Sequence, residues 1–204
     1  MKAGWTMASL AEVCEFQRGL TYAKSDEVDA SRSVVLRASN IDLTTSLLDL
    51  ADLRFISDTV DVPANKRVRE GSLLVCTASG SKAHLGKVAL IDKDYGFAFG
   101  GFMGQLTPTE RVLPKFLFYM LISDVYKHFI ASLSDGANIN NLKFADLGRF
   151  QIPVPPLSEQ RRIAALLDEM RANTQRLSKI YEQKQATLEA LKRSLLQQAF
   201  NGEL

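Results

Sequence analysis

Long apolar runs are missing from this 204-residue chain. No segment approaches the ~18 apolar residues of a membrane-spanning helix, and the opening MKAGWTMASLAEV has no apolar signal-peptide core. Cysteine is scarce: Cys14 and Cys76 are too few for a disulfide framework and fit a reducing compartment. The expected location is therefore cytoplasmic, without a membrane partner. Histidine is as rare. Cys14, Cys76, His84 and His128 show neither Cys-x2-Cys nor His-x3-His spacing, so no metal site is expected. Two histidines also leave little from which to build an activated nucleophile. No phosphate-cradling loop occurs, since Leu85-Gly86-Lys87 runs into Val88 and lacks the upstream glycine. The run FAFGGFMGQ (97–105) has no Phe followed by glycines at the second and fourth positions, and no Asn/Asp-Pro-Pro-aromatic tetrapeptide occurs. Both absences argue against S-adenosylmethionine-dependent chemistry in this chain, and the run reads as a tight strand-edge turn in the core.

Excess charge is lacking too, with a formal net charge of +2. Before Leu157 the chain holds 17 basic and 17 acidic residues; from Leu157 onward it holds 8 and 6. A nucleic-acid-binding surface on the first part must be a local patch on a neutral body. The distribution of Gly and Pro is more informative. All 6 prolines and 11 of the 12 glycines precede Leu157, and the next glycine is Gly202. The two residue types that most often interrupt structure are thus absent from 157–201. The composition predicts a domain over 1–156 and a single long helix over 157–204.

The first region has the texture of a mixed α/β domain. SVVLRA (33–38), SLLVCTA (72–78), KVALI (87–91) and FQIPV (150–154) read as strands between Gly, Asp and Ser clusters. Pro153 and Pro155 restrict the last of them to an edge. PKFLFYMLISDVYKHFIASL (114–133) reads as one helix, with Pro114 at its first position and Leu117, Leu121, Val125 and Phe129 in an apolar row.

The second region carries a narrower stripe. Ser158 is the expected N-cap, and Gly202 the stop. Alternating steps of four and three residues pass through Ile163, Leu167, Met170, Thr174, Leu177, Tyr181, Lys184, Leu188, Leu191, Leu195 and Gln198. Eight of these eleven are apolar: Ile163, Leu167, Met170, Leu177, Tyr181, Leu188, Leu191 and Leu195. A stripe of 3.5-residue period wants a partner helix with which to form a coiled coil. A long surface helix folded back on its own domain is the alternative.

Polar and basic loops stand out in the first region. KRVRE (66–70), ASGSKAHLGK (78–87), RASNI (37–41) and GANINNLK (136–143) combine Arg, Lys, Asn and Ser, the types that contact phosphates and base edges. Lys66, Arg67, Lys82, His84 and Lys87 are the expected phosphate contacts, with Ser79 and Ser81 beside them. Arg37, Asn40, Asn138 and Asn140 are the candidates for base reading. Taken singly, each loop also reads as a solvated turn.

Several segments resemble the specificity subunits of type I restriction–modification systems. They are W-x4-L-x2-V-C-E-F-Q-R-G-L-T-Y (Trp5 to Tyr22), VLRASNI (35–41), EGSLLVCTASGS (70–81), INNLK (139–143), FQIPVPPLSEQRRIAALLD (150–168) and the closing LKRSLLQQAFNGEL. The resemblance departs at Gly71-Ser72, where the family often has Gly-Asp. It implies a non-catalytic target-recognition domain that reads one half of a split double-stranded DNA site. It also implies a conserved spacer helix that pairs antiparallel with a second such helix as a coiled coil and engages methyltransferase subunits, with S-adenosylmethionine held by them and no cofactor in this chain. Restriction/translocase subunits would complete the assembly. Full-length members carry two recognition domains and two helices, so the sequence corresponds to a half-length subunit acting as a homodimer or to a piece of a longer one. A coiled-coil scaffold module and a stand-alone DNA-modifying enzyme are the alternatives, the second disfavoured by the absent cofactor loop.

Overall fold

The computed structural model describes residues 4–134 and 141–202, without the side chains of Lys82 and Ser134. Among the described residues, ten strands and five α-helices follow one another. The chain runs through β1 (Thr6–Ser9), α1 (Leu10–Val13), β2 (Cys14–Arg18), β3 (Glu27–Val28), β4 (Ser33–Leu36) and β5 (Arg54–Ile56). It continues with β6 (Leu73–Cys76), β7 (Val88–Leu90), β8 (Ala98–Phe99), β9 (Met103–Pro108) and α2 (Pro114–Leu121). Last come α3 (Asp124–Ser134), α4 (Phe144–Leu147), β10 (Gln151–Val154) and α5 (Leu157–Asn201). This is the mixed α/β unit with a single long C-terminal helix that the composition predicts.

Two four-stranded sheets carry the first unit. One has the order β2-β9-β6-β7 and is antiparallel throughout; the other has the order β3-β5-β4-β8 and closes with a parallel pair, β4 with β8. The central strand β6 is buried at all four residues, so it reads as a continuous apolar run rather than an alternation. Leu74 and Cys76 enter a core with Leu36, Ile41, Val68, Ile91, Phe99 and Met103. Burial pushes the Cys76 thiol up to about 11 and that of Cys14 up to about 12, as expected of small core residues rather than reactive ones. A smaller cluster joins Leu20, Val35, Ile56 and Ala98.

A third, two-stranded sheet pairs β1 antiparallel with β10, Thr6 opposite Val154 and Met7 opposite Pro153. The prolines lie on an edge, where their missing N–H groups cost no ladder bond. Directly after β1, Glu12 accepts from both the backbone N–H (2.6 Å) and the hydroxyl (2.7 Å) of Ser9. That cap holds the Glu12 carboxyl below its usual range.

The single helix expected over 114–133 is in fact two. Pro114 opens α2 as expected, but the chain bends by 60° before α3. Ser123 makes the break, its hydroxyl donating to the Met120 carbonyl (2.7 Å) and accepting from the Tyr126 N–H (3.4 Å). A short polar side chain thus offers the backbone an alternative to the next helical turn. The bend rotates the predicted row out of line: Leu117 and Leu121 are buried, Val125 is exposed, and Tyr126 and Ile130 face inward instead. Among the described residues no single helix is long and apolar enough to cross a membrane.

The chain divides into two compact units between Arg161 and Arg162. In the first, the Pro156 carbonyl accepts from the N–H groups of Glu159 (2.9 Å) and Gln160 (3.0 Å). The helix therefore begins at Leu157, and Ser158 lies inside its first turn instead of capping it. The second unit is the remainder of α5. The whole of α5, 45 residues, extends about 67 Å at ~1.5 Å each. Gly202, at φ +71°, ends it as expected, with its N–H bonded to the Ala199 carbonyl.

Candidate nucleic-acid interface

The loops gather where β6 ends. Beyond Cys76, the N–H groups of Thr77 and Ala78 both donate to the Phe102 carbonyl (2.9 and 3.0 Å). Leu142 N–H donates to the Thr77 carbonyl (2.6 Å), and Asn141 bridges Ala78, which brings the segment leading into α4 alongside. The Lys87 ammonium donates to the Ile41 carbonyl (2.7 Å), tying the loop before β7 to the turn after β4. Three of the four polar segments thus converge on the end of the β2-β9-β6-β7 sheet where β6 finishes.

The fourth segment sits by the end of β2. Lys66 donates to the Arg18 carbonyl (2.9 Å), and Arg67 donates to the Gly96 carbonyl (2.6 Å). Each half-buried side chain is held at its charged tip by a backbone carbonyl. Ser79 accepts from the Ser81 N–H (3.2 Å), and the Ser81 carbonyl accepts from His84 N–H (3.1 Å), so the loop is braced from within. Burial, followed by the nearby Lys87, lowers the His84 pKa, and its buried Nδ1 has no hydrogen-bond partner. Burial also lowers Lys87.

Two expected base readers are engaged by the fold. Asn40 is buried: its Oδ1 accepts from Arg37 N–H (2.9 Å), and its Nδ2 donates to the carbonyls of Asp49 (2.9 Å) and Asp52 (2.8 Å). An amide with its donors and acceptor committed to backbone has no edge left to offer a base. Arg37 is half-buried and ion-paired with Asp52 at 3.1 Å. Asn138 and Asn140 lie outside the described residues, and so does the side chain of Lys82.

Three residues escaped the sequence reading. Arg18 is exposed beside Lys66, with its guanidinium 5.4 Å from the Phe144 ring centroid. Phe102 stands out of the turn between β8 and β9. Gln160, buried at the start of α5, donates to the carbonyls of Arg111 and Pro155 and accepts from Leu113 N–H.

In the second unit most of the seam residues stay bare. Ile163 and Leu167 are half-buried, while Met170, Leu177, Tyr181, Leu188, Leu191 and Leu195 are all exposed. Thr174, in the middle of the stripe, turns its hydroxyl onto the Met170 carbonyl (2.9 Å). Lys184 lies over the Tyr181 ring, 5.9 Å from its centroid.

Residues 2–190 match the family described as "Type I restriction modification DNA specificity domain". The chain belongs to that family. The match runs through the first unit and well into α5. Two similar members are the type I restriction enzyme EcoKI specificity subunit of Escherichia coli K12 (32% identical) and the StySPI specificity subunit of Salmonella potsdam (31%). Each alignment covers 98% of this chain and 43% of the relative, so the chain spans less than half the length of these specificity subunits. The HsdS subunit from Thermoanaerobacter tengcongensis shares the fold, with a TM-score of 0.69 at 24% identity over 100% of this chain and 46% of that one. A chain from a type I R-M system, solved to describe complex assembly and conformational transition, matches with a TM-score of 0.78 at 24% identity, covering 47% of it.

Proposed function

We propose that this specificity domain is a non-catalytic DNA-recognition subunit reading one half-site of a bipartite target. The observation that carries the reading is the convergence of the Arg37–Ile41, Ala78–Lys87 and Asn141–Lys143 segments on one sheet end, braced by Lys87 to Ile41 and Leu142 to Thr77. Serine hydroxyls, lysines and close-packed glycine turns on a rigid scaffold suit phosphate and groove contact. Lys66, Arg67, Lys82, His84 and Lys87 supply the phosphate contacts in this proposal, with Arg37, Ser79 and Ser81 nearest the bases.

The bare heptad stripe of α5 pairs antiparallel with a second copy, which sets one recognition unit at each end. The paired helices engage methyltransferase subunits, which hold S-adenosylmethionine, and restriction/translocase subunits join that complex. Two-fold symmetry then requires an inverted-repeat target with an unread spacer. A rod of about 67 Å spans about 20 base pairs at ~3.4 Å each, ample for half-sites roughly one helical turn apart.

The test is to map methylated bases in cells expressing the chain with its methyltransferase subunit. An inverted repeat appearing only when this chain is present is the expected result. An asymmetric target, or methylation independent of the chain, would overturn the proposal. Retained methyltransferase association without any duplex binding would point to a scaffold instead.

A further inference from the structure

Phe102 is 72% exposed, more than any other large apolar side chain described in the first unit. It does not belong to a loose loop. Its carbonyl accepts from Thr77 N–H, Ala78 N–H and the Thr77 hydroxyl, at 2.9, 3.0 and 2.9 Å. The turn around it is fixed on further sides: Gly100 N–H donates to Leu36, Met103 N–H to Gly100, and Gly19 N–H to Met103. Close packing of backbone leaves no slack, since a Cβ on Gly19 would stand 2.0 Å from the Gly100 carbonyl oxygen, and one on Gly101 3.1 Å from the Thr21 hydroxyl.

A rigid turn that turns a phenyl ring to solvent forgoes the burial that ordinarily makes phenylalanine useful to a fold. The ring's surroundings suggest what does cover it. On one side, Thr77 and Ala78 lead straight into the loop bearing Ser79, Ser81 and His84. On the other, Met103 is bonded to Gly19, next to exposed Arg18, whose carbonyl holds the Lys66 ammonium. An apolar ring thus projects from a turn set between the polar 79–87 loop and the exposed Arg18 beside Lys66. Cations placed to follow the phosphates leave the ring between them facing the groove, where the surfaces on offer are thymine methyl groups and base faces.

We infer that Phe102 is a specificity-determining residue that packs its ring against bases of the half-site while the flanking cations hold the backbone. The inference rests on the DNA-recognition reading above and names a contact that reading does not contain.

The two separate experimentally. The complex of this chain with its methyltransferase subunit is titrated with the target found by methylation mapping and with random duplex, each at several salt concentrations. Phe102→Ala should weaken target binding about 10- to 100-fold, leaving random-duplex affinity and the salt slope unchanged. Its urea midpoint should match wild type, because the ring is outside the core, and Phe102→Trp should retain much of the preference. Replacing half-site thymines by uracil separates a methyl contact, lost in wild type alone, from contact with base faces. Equal binding by Phe102→Ala and wild type would overturn the inference, as would equal weakening of both duplexes or loss of methyltransferase association without DNA. A wild-type complex with no preference for any duplex would instead sink the parent reading, and the inference with it.

Discussion

Leu113 donates its backbone N–H to the Oε1 of Gln160 at 2.8 Å, across 47 residues of sequence. The other end of the same amide donates to the Arg111 and Pro155 carbonyls, both at 2.9 Å, and the side chain is fully buried. One side chain therefore satisfies three backbone groups that would otherwise be stranded. Gln160→Leu should cost about 2–4 kcal/mol, since buried unpaired polar groups each cost about 1–3 kcal/mol. Gln160→Glu should be at least as harmful, because it sets a carboxylate oxygen against two carbonyls. Urea unfolding measures both; a Gln160→Leu midpoint equal to wild type would contradict the arrangement.

Gly19 crosses the backbone at Gly100 too closely for any side chain. Gly19→Ala must push apart β2 and the turn before β9, a strain of several kcal/mol in a packed interior. The expected result is a large drop in the thermal midpoint or insoluble protein. Gly80→Ala, where a Cβ would meet nothing within 4 Å, is the matched control and should be nearly neutral.

On the proposed reading, Lys66, Arg67 and Lys82 contact phosphates. Each alanine replacement should weaken all duplexes alike and lower the salt slope by about 1, and the triple variant by about 3. Filter binding over a salt series reads this directly. A triple variant with unchanged slope would mean that the phosphates are held elsewhere.

Leu177 and Leu188 lie in the bare stripe of α5. Leu177→Asp with Leu188→Asp should abolish self-association, because the seam would bury unpaired carboxylates. Light scattering at tens of micromolar distinguishes dimer from monomer. Since both side chains are exposed in the single chain, the urea midpoint of the recognition unit should not move. A wild-type chain that stays monomeric, alone and with the methyltransferase, would end the homodimer proposal.

Burial raises Cys14 to about 12 and Cys76 to about 11, against ~8.5 for an exposed thiol. At pH 8 the native thiols should resist a disulfide reagent, and both should react once urea unfolds the chain. The linkage has a definite sign. Unfolded thiols release protons above about 8.5 while native ones keep theirs, so this contribution is intact below that pH and is lost as pH rises through 11 to 12. Prompt native labelling of Cys76 would refute its placement in the core.

Where a local rule governs, the fold was legible. The gap in Gly and Pro after Pro156 marks α5, Gly202 ends it, and Pro153 confines β10 to an edge. The exceptions come from tertiary competition. Nothing in 114–133 distinguishes Ser123 from a tolerated helical serine until its hydroxyl is found serving two backbone groups. Asn40 has the residue type of a base reader, yet the backbone carbonyls of Asp49 and Asp52 claim its amide first. Phe102 was hidden by its own neighbours, because FAFGGFMGQ is apolar enough to read as interior.

The pairing of Thr6 with Val154 has a consequence for heredity. The chain comes into the recognition unit and goes out of it at one place, on two adjacent strands of a small separate sheet. A segment whose two ends lie together can be replaced with little disturbance to its neighbours. Recombination with breakpoints near Thr6 and Val154 would therefore exchange the first unit whole, while the stripe of α5 passes unchanged into the hybrid. On the proposed reading, a lineage carrying this gene could acquire a new sequence preference by swapping one cassette, without evolving a new way to assemble.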